Sequence, residues 1–278
     1  IERSDQGFQI TQNSHKILAR RVLLATGGAS YPATGSSGDG YVLAEQLGHS
    51  LTPILPALVP LITANNNPAQ LQGLSLGRVR AEVRVCGKKV AEKTGEVLCT
   101  HFGLSGPAIL ALSREAVRGL AAGQQVDVIL DVFPEHDPVA LDAWLRKEIA
   151  THGKKQCCNF MHIFLPPKAI PVCLEQTGLH STLPAQNITA RERKRLRTWL
   201  KEWRFSITGH RPLSEAMVTT GGIPLTEVNP KTMESRLCSG LYFAGEILDM
   251  DADTGGFNLQ AALSTGFLAG RCAALGMP

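Results

Sequence analysis

Three aspartates, Asp249, Asp251 and Asp253, run into Thr254-Gly255-Gly256, after which Phe257-Asn258-Leu259-Gln260 opens a stretch of mostly small residues that reaches Gly270. Just before them, Leu241-Tyr242-Phe243-Ala244 is apolar and ends in Gly245-Glu246. The order reads as a buried strand, an acidic turn and a buried helix. Paired glycines carry no Cβ, so a flat ring can lie close against their backbone. The first turn of the helix leaves N–H groups near Asn258, Leu259 and Gln260 without intrahelical acceptors, and these favour negative charge. Carboxylates repel phosphate but accept hydrogen bonds from hydroxyls, so the aspartates suit a polyhydroxy chain. A solvated acidic loop is the plainer alternative.

A second glycine-bearing strand end lies early in the chain, where Val22-Leu23-Leu24-Ala25 runs into Thr26-Gly27-Gly28. A continuous apolar run of this kind predicts a strand covered on both faces. Ligands of open α/β sheets sit outside the carboxyl ends of the strands, so the two loops can line one crevice. Taken singly, either loop reads first as a tight turn. A reduced flavin, which gathers negative charge at one edge of its ring, matches the donors expected at the late site.

Other residues offer less. His101, in Cys99-Thr100-His101-Phe102-Gly103, can donate a proton but reads first as a loop histidine. Thr219-Thr220-Gly221-Gly222 is either a substrate-side wall or a turn closing an antiparallel pair. Arg191, Arg193, Lys194, Arg195, Arg197, Lys201 and Arg204 make the segment 189–205 basic, and a helix there puts Leu196, Trp199, Leu200 and Trp203 on one apolar face. Its basic face is a solvated surface or an RNA contact. No Ser-His-Asp order, His-Glu-x-x-His or P-loop supports a hydrolase or phosphotransferase. No catalytic residue and no metal ligand set stands out. The seven cysteines include no Cys-x-x-Cys and read as reduced thiols, against a disulfide-reductase mechanism.

The elements that must position these groups fall into three blocks. Phe8 and Ile10 alternate with polar neighbours, Asn13-Ser14 supplies a turn, and Ile17-Leu18 resumes the pattern, which predicts a hairpin ahead of the Val22 strand. A helix follows, capped by Ser37 or Asp39 and closed near Gly48. From Pro53 the texture changes to alternating strands around a Gly87 turn, a helix with Ser105 as cap and Pro107 in its first turn, a strand over 125–133, and a helical segment from Pro138 to Trp203. Strands over 204–210 and 215–225 lead back to the acidic turn. With 44% hydrophobic and 19% charged residues and a net charge of +4, the composition is that of a soluble, cytoplasmic globular protein. No apolar run approaches the roughly 18 residues of a membrane helix.

Three blocks, residues 23–40, 100–110 and 218–266, resemble the BaiN-type, aminoacetone oxidase-like family of NAD(P)/FAD-dependent flavoproteins, and the likeness extends over residues 8–270. The resemblance implies an α/β protein: a two-part Rossmann-like FAD-binding domain, residues 1–52 and 212–278, interrupted by an inserted β-barrel-like and helical substrate or cap domain, residues 53–211. It places Thr26, Gly27 and Gly28 along the nucleotide, Gly245, Glu246 and Asp249 beside the ribityl-pyrophosphate region, and Thr254, Gly255, Gly256, Phe257, Asn258 and Leu259 against the flavin ring. Glycine is common in the family where Ala252 stands. FAD is the implied cofactor, NAD(P)H the reductant and a small organic molecule the substrate, with no membrane contact. Family members open with a strand, a G-x-G-x-x-G turn and a helix that anchor the pyrophosphate, and these 278 residues hold no such unit. The expectation is a fragment that binds FAD weakly or not at all.

Overall fold

Hydrophobic alternation at the start of the chain builds a three-stranded antiparallel meander of β1 (Glu2–Ser4), β2 (Gly7–Gln12) and β3 (His15–Ala19). Gln12 faces His15 across the two-residue turn, where Asn13 takes a φ of +54°, a conformation asparagine tolerates. The computed structural model describes residues 1–4, 7–64 and 68–276.

The chain forms two compact units: Ile1–Val59 with Arg211–Pro278, and Pro60–His210. In the first, β4 (Val22–Leu24) is followed by α1 (Asp39–Gln46) and β5 (Thr52–Ala57). After the second unit the chain resumes with β12 (Val218–Gly222), β13 (Leu241–Phe243) and α8 (Phe257–Leu275). Strands β4 and β13 run parallel, with Val22, Leu23 and Leu24 opposite Leu241, Tyr242 and Phe243. The pairing joins the two glycine-bearing strand ends, 219 residues apart in sequence, side by side. Strands β5 and β12 pair antiparallel, so the Thr-Thr-Gly-Gly segment closes an antiparallel pair. Phe8, Leu24, Tyr41, Leu241, Tyr242, Phe243, Ile247 and Cys272 form the core of this unit.

The second unit is a closed barrel with helices. Its strands are β6 (Leu61–Thr63), β7 (Ser75–Val85), β8 (Lys88–Cys99), β9 (Gly103–Ser105), β10 (Val126–Asp131) and β11 (Trp203–His210), in the spatial order β10-β11-β6-β9-β8-β7. Burial of Val79, Ala81 and Val83 on β7 shows the period of two that marks one covered face. Short α2 (Pro68–Leu71) precedes β7, and α3 (Pro107–Ala121) packs on β7 and β8. Helices α4 (Pro138–His152), α5 (Cys157–Met161), α6 (Ala169–Thr177) and α7 (Ala190–Lys201) make a small helical layer. Thr189 caps α7 in a capping box with Glu192.

Several sequence expectations need correction. Helix α1 is capped by Gly38 in the left-handed region, not by Ser37 or Asp39, and α3 by Gly106, because Ser105 is still in β9. Trp203 begins β11 and is not on the apolar face of α7. Leu23 is 37% exposed, so β4 is covered on one face only. Most markedly, α8 is not a buried helix: Ala269 and Cys272 are its buried residues, while Leu259, Leu263 and Phe267 are each at least 70% exposed. A run of small residues signals close packing, yet it leaves open how many faces are covered. Among the described residues, no helix is long and apolar enough to cross a membrane.

Candidate functional site

Behind β13 the backbone turns through Gly245–Ile247, passes the acidic stretch and enters α8. Gly255 and Gly256 both have positive φ, +123° and +86°, a region that favours glycine. Gly256 is the cap residue of α8 and supplies no side-chain acceptor; of the three amides expected to lack an intrahelical acceptor, that of Gln260 donates to the Gly256 carbonyl at 2.9 Å. The loop is clipped by Asn258: its Oδ1 accepts from the Ala252 N–H and its Nδ2 donates to the Ala252 carbonyl, both at 2.8 Å.

A cavity of about 390 Å³ opens at this end of α8, within the range of roughly 300–1,000 Å³ typical of small-molecule sites. Of the sequence-derived site residues, Gly245, Glu246, Thr254, Gly255, Gly256, Asn258 and Leu259 line it. Asp253, Met250, Ala261 and Ala262 also contribute. Thr26, Gly27, Gly28, Asp249 and Phe257 are not among its lining. Phe257 is 61% exposed, and Asp249 uses its amide to bond the Ile223 carbonyl at 2.9 Å. Asp251 accepts a hydroxyl hydrogen bond, from Thr220 at 2.9 Å, so its acceptor holds β12 to the acidic turn.

The remaining wall consists of Leu58, Met217 and Val218. Sequence reasoning did not single these out. The β5–β12 pairing brings them together: Ala57 faces Val218, and the Met217 N–H donates to the Leu58 carbonyl at 3.4 Å. Leu58 has a φ of +51°, a conformation costing a non-glycine residue about 1–2 kcal/mol. Such strain tends to collect where a backbone shapes a site.

Under the cavity, three distant segments meet at Glu246. Its Oε1 accepts from the Thr219 N–H at 2.8 Å and from the Ser30 hydroxyl at 3.0 Å. The Thr219 hydroxyl oxygen accepts from the amides of Ala29, at 2.8 Å, and Ser30, at 3.0 Å. Tyr41 donates to the Glu246 carbonyl at 3.2 Å; burial, followed by the charges of Glu246 and Asp249, pushes its phenol well above the usual range. Gly28 lies beneath this cluster, where a Cβ would come within 2.4 Å of Glu246 Oε1.

A Ser-His-Glu constellation exists elsewhere in the unit, hidden from a motif search by its spacing. His49 Nδ1 lies 2.7 Å from Glu227 Oε2, and its Nε2 lies 2.7 Å from Ser235 Oγ. It is not a nucleophile site. Ser235 is 7% exposed, and its Oγ already accepts from the amides of Leu237 and Cys238. With both lone pairs taken, the hydroxyl donates to His49 Nε2, which makes the ring a neutral Nδ1–H donor to Glu227. The network ties the segment after α1 to the loop before β13.

Two further sequence candidates fall in the barrel unit. His101 is an exposed turn residue between β8 and β9, edge-on to Phe102. The basic segment is partly neutralised: Arg193, Arg197 and Arg146 converge on Asp142, and Lys201 pairs with Asp131 at 2.6 Å. Arg191, Lys194 and Arg195 remain exposed.

Comparison with known proteins adds the family. The chain is 36% identical to a 3-dehydro-bile acid delta(4,6)-reductase of Clostridium scindens, over 99% of this chain and 67% of that protein. It is 30% identical to ribosomal RNA dihydrouridine synthases of Escherichia coli and Haemophilus influenzae, over 95% and 94% of this chain but 63% and 62% of theirs. It thus spans about two thirds of the length of these relatives. The family model for the HI0933-like protein Rossmann domain matches residues 1–272, which contain every motif behind the resemblance to BaiN-type flavoproteins, and the chain belongs to that family.

Proposed function

We propose that this chain carries the ring-binding part of an FAD-dependent oxidoreductase that reduces a small organic substrate at the expense of NAD(P)H. The observation that carries the reading is the cavity at the uncapped amino end of α8, floored by paired glycines and walled by Leu58, Met217, Met250 and Leu259. The residues present fit the isoalloxazine and ribityl parts of FAD. Gly256 has open space where a Cβ would be, the first-turn amides offer donors to the pyrimidine edge, and Glu246 and Asp253 offer acceptors to hydroxyls. When bound, FAD supplies the hydride chemistry. The protein's share is to hold the ring, stabilise negative charge at one edge through the α8 amides, and exclude water with the apolar wall.

The names of the relatives narrow the substrate chemistry. A delta(4,6) 3-oxo steroid and a uracil ring both present an alkene conjugated to a carbonyl. We take that unit as the substrate class here. The test is anaerobic: the chain with excess FAD is photoreduced, then mixed with a conjugated enone or its saturated ketone. Protein-dependent reoxidation by the enone alone is expected; equal rates with both, or none above free flavin, would refute the reading.

A second reading, RNA binding through the segment 189–205, has the dihydrouridine synthase relatives and exposed Arg191, Lys194 and Arg195 behind it. The inward pairing of Arg193, Arg197 and Lys201 weakens it. Absence of an RNA gel shift at low salt removes it.

A further inference from the structure

We propose that Ser30 and Thr219 are positioning residues for Glu246, committing its Oε1 to the protein and reserving Oε2 for a hydroxyl of the molecule in the cavity. The inference rests on the flavin reading of that cavity and adds two residues that are not part of its lining.

A carboxylate that accepts one hydrogen bond can still swing about its last torsion. Two donors of different origin converging on one oxygen remove that freedom. Glu246 Oε1 has such a pair: the Thr219 N–H from β12 and the Ser30 hydroxyl from the loop after β4. Among the described residues, Oε2 has no hydrogen-bond partner, although a carboxylate oxygen accepts two. Glu246 is itself part of the cavity wall.

Ser30 is in turn held by Thr219. The Thr219 hydroxyl oxygen takes the amides of both Ala29 and Ser30, so the loop cannot rotate its serine away without losing two bonds. The residues act in series: the Thr219 hydroxyl fixes the loop, the loop presents the Ser30 hydroxyl, and that hydroxyl fixes the carboxylate. Gly28 permits the approach, since a methyl group there would lie 2.5 Å from Thr219 Oγ1 as well as against Glu246. Thr219 is 1% exposed and Ser30 6%, so neither needs to touch the ligand.

A purely structural clasp would lower stability when broken and leave ligand discrimination unchanged. Positioning predicts a change in discrimination. The probes are riboflavin, which carries the hydroxylated chain, and lumiflavin, which has a methyl group in its place. Fluorescence titration of the 278-residue protein should show riboflavin bound about tenfold tighter, the worth of one hydrogen bond to a charged group. In Ser30→Ala and Thr219→Val the preference should fall to within about twofold, and Thr219→Ser should restore it. The double variant should lose no more than the worse single one, as expected for groups acting in series. A preference that survives in Ser30→Ala while the melting temperature drops overturns the proposal.

Should neither flavin bind the unaltered protein, the flavin reading fails by itself, and amide exchange decides the positioning claim. Ser30→Ala should then speed exchange of the Thr219 amide about tenfold, because its carboxylate acceptor is loosened. An unchanged rate overturns the proposal. If Thr219→Val does not fold, Ser30→Ala and Thr219→Ser carry the test alone.

Discussion

At the residue scale, two glycines and one asparagine amide set the course of the backbone beside the cavity. Gly255-Gly256 announced a backbone that other residues avoid, and both have positive φ. Asn258 was expected against a ring, yet its amide clips the turn at Ala252. A side chain with both donor and acceptor serves either purpose, and sequence does not say which. Replacing Asn258 with alanine removes two hydrogen bonds and should cost about 1–3 kcal/mol in urea unfolding, with flavin affinity reduced further as the loop opens. An unchanged affinity would show that the clip does not shape the cavity. Leu58 and Met217 were invisible for a different reason. Ordinary apolar residues become cavity walls only through the pairing of β5 with β12, which brings Leu58 and Met217 together from 159 residues apart in sequence.

At the element scale, patterns with a short period read well. The β2–β3 hairpin and the β7–β8 pair around Cys86-Gly87 follow from alternation and turn residues, and the strands at both glycine loops from short apolar runs. Caps read less well, because Gly38 and Gly106 cap through backbone geometry and carry no side-chain signal. The tie between the end of α1 and the loop before β13 was beyond any local pattern. Glu227 receives His49, the Ser50 hydroxyl and the Ser50 amide. Burial alone would raise its pKa, but these hydrogen bonds outweigh it and hold the carboxyl below the ordinary glutamate range. A depressed folded-state value contributes stability that is complete above the unfolded pKa, about 4.3, and is lost as the pH falls through the folded one. Glu227→Gln should therefore be less stable at neutral pH by about 1–3 kcal/mol, and the gap should close as acid is added. A gap constant from pH 7 to about pH 3 would contradict this account.

At the scale of the whole chain, the change of texture near Pro53 suggests an insertion over residues 53–211, whereas the second compact unit is Pro60–His210 and β5 belongs to the first. Closure of the strands into a barrel was not visible in that texture, since it depends on β6 and β9, each of three residues. Nor was the exposure of α8. Leu259, Leu263 and Phe267 form an apolar surface larger than a lone side chain, the kind that promotes association. Leu263→Glu with Phe267→Glu should reduce concentration-dependent light scattering and leave unfolding free energy within about 0.5 kcal/mol. Scattering that persists would place the sticky surface elsewhere.

The account turns on whether the amino end of α8 receives a flavin ring. Amide chemical shifts of the 278-residue protein, titrated with riboflavin, test this directly. Shifts should concentrate at Gly245, Glu246 and residues 254–262, with the amides of Phe257, Asn258 and Leu259 moving most. Saturating shifts centred on another surface, or none at these amides, would contradict it.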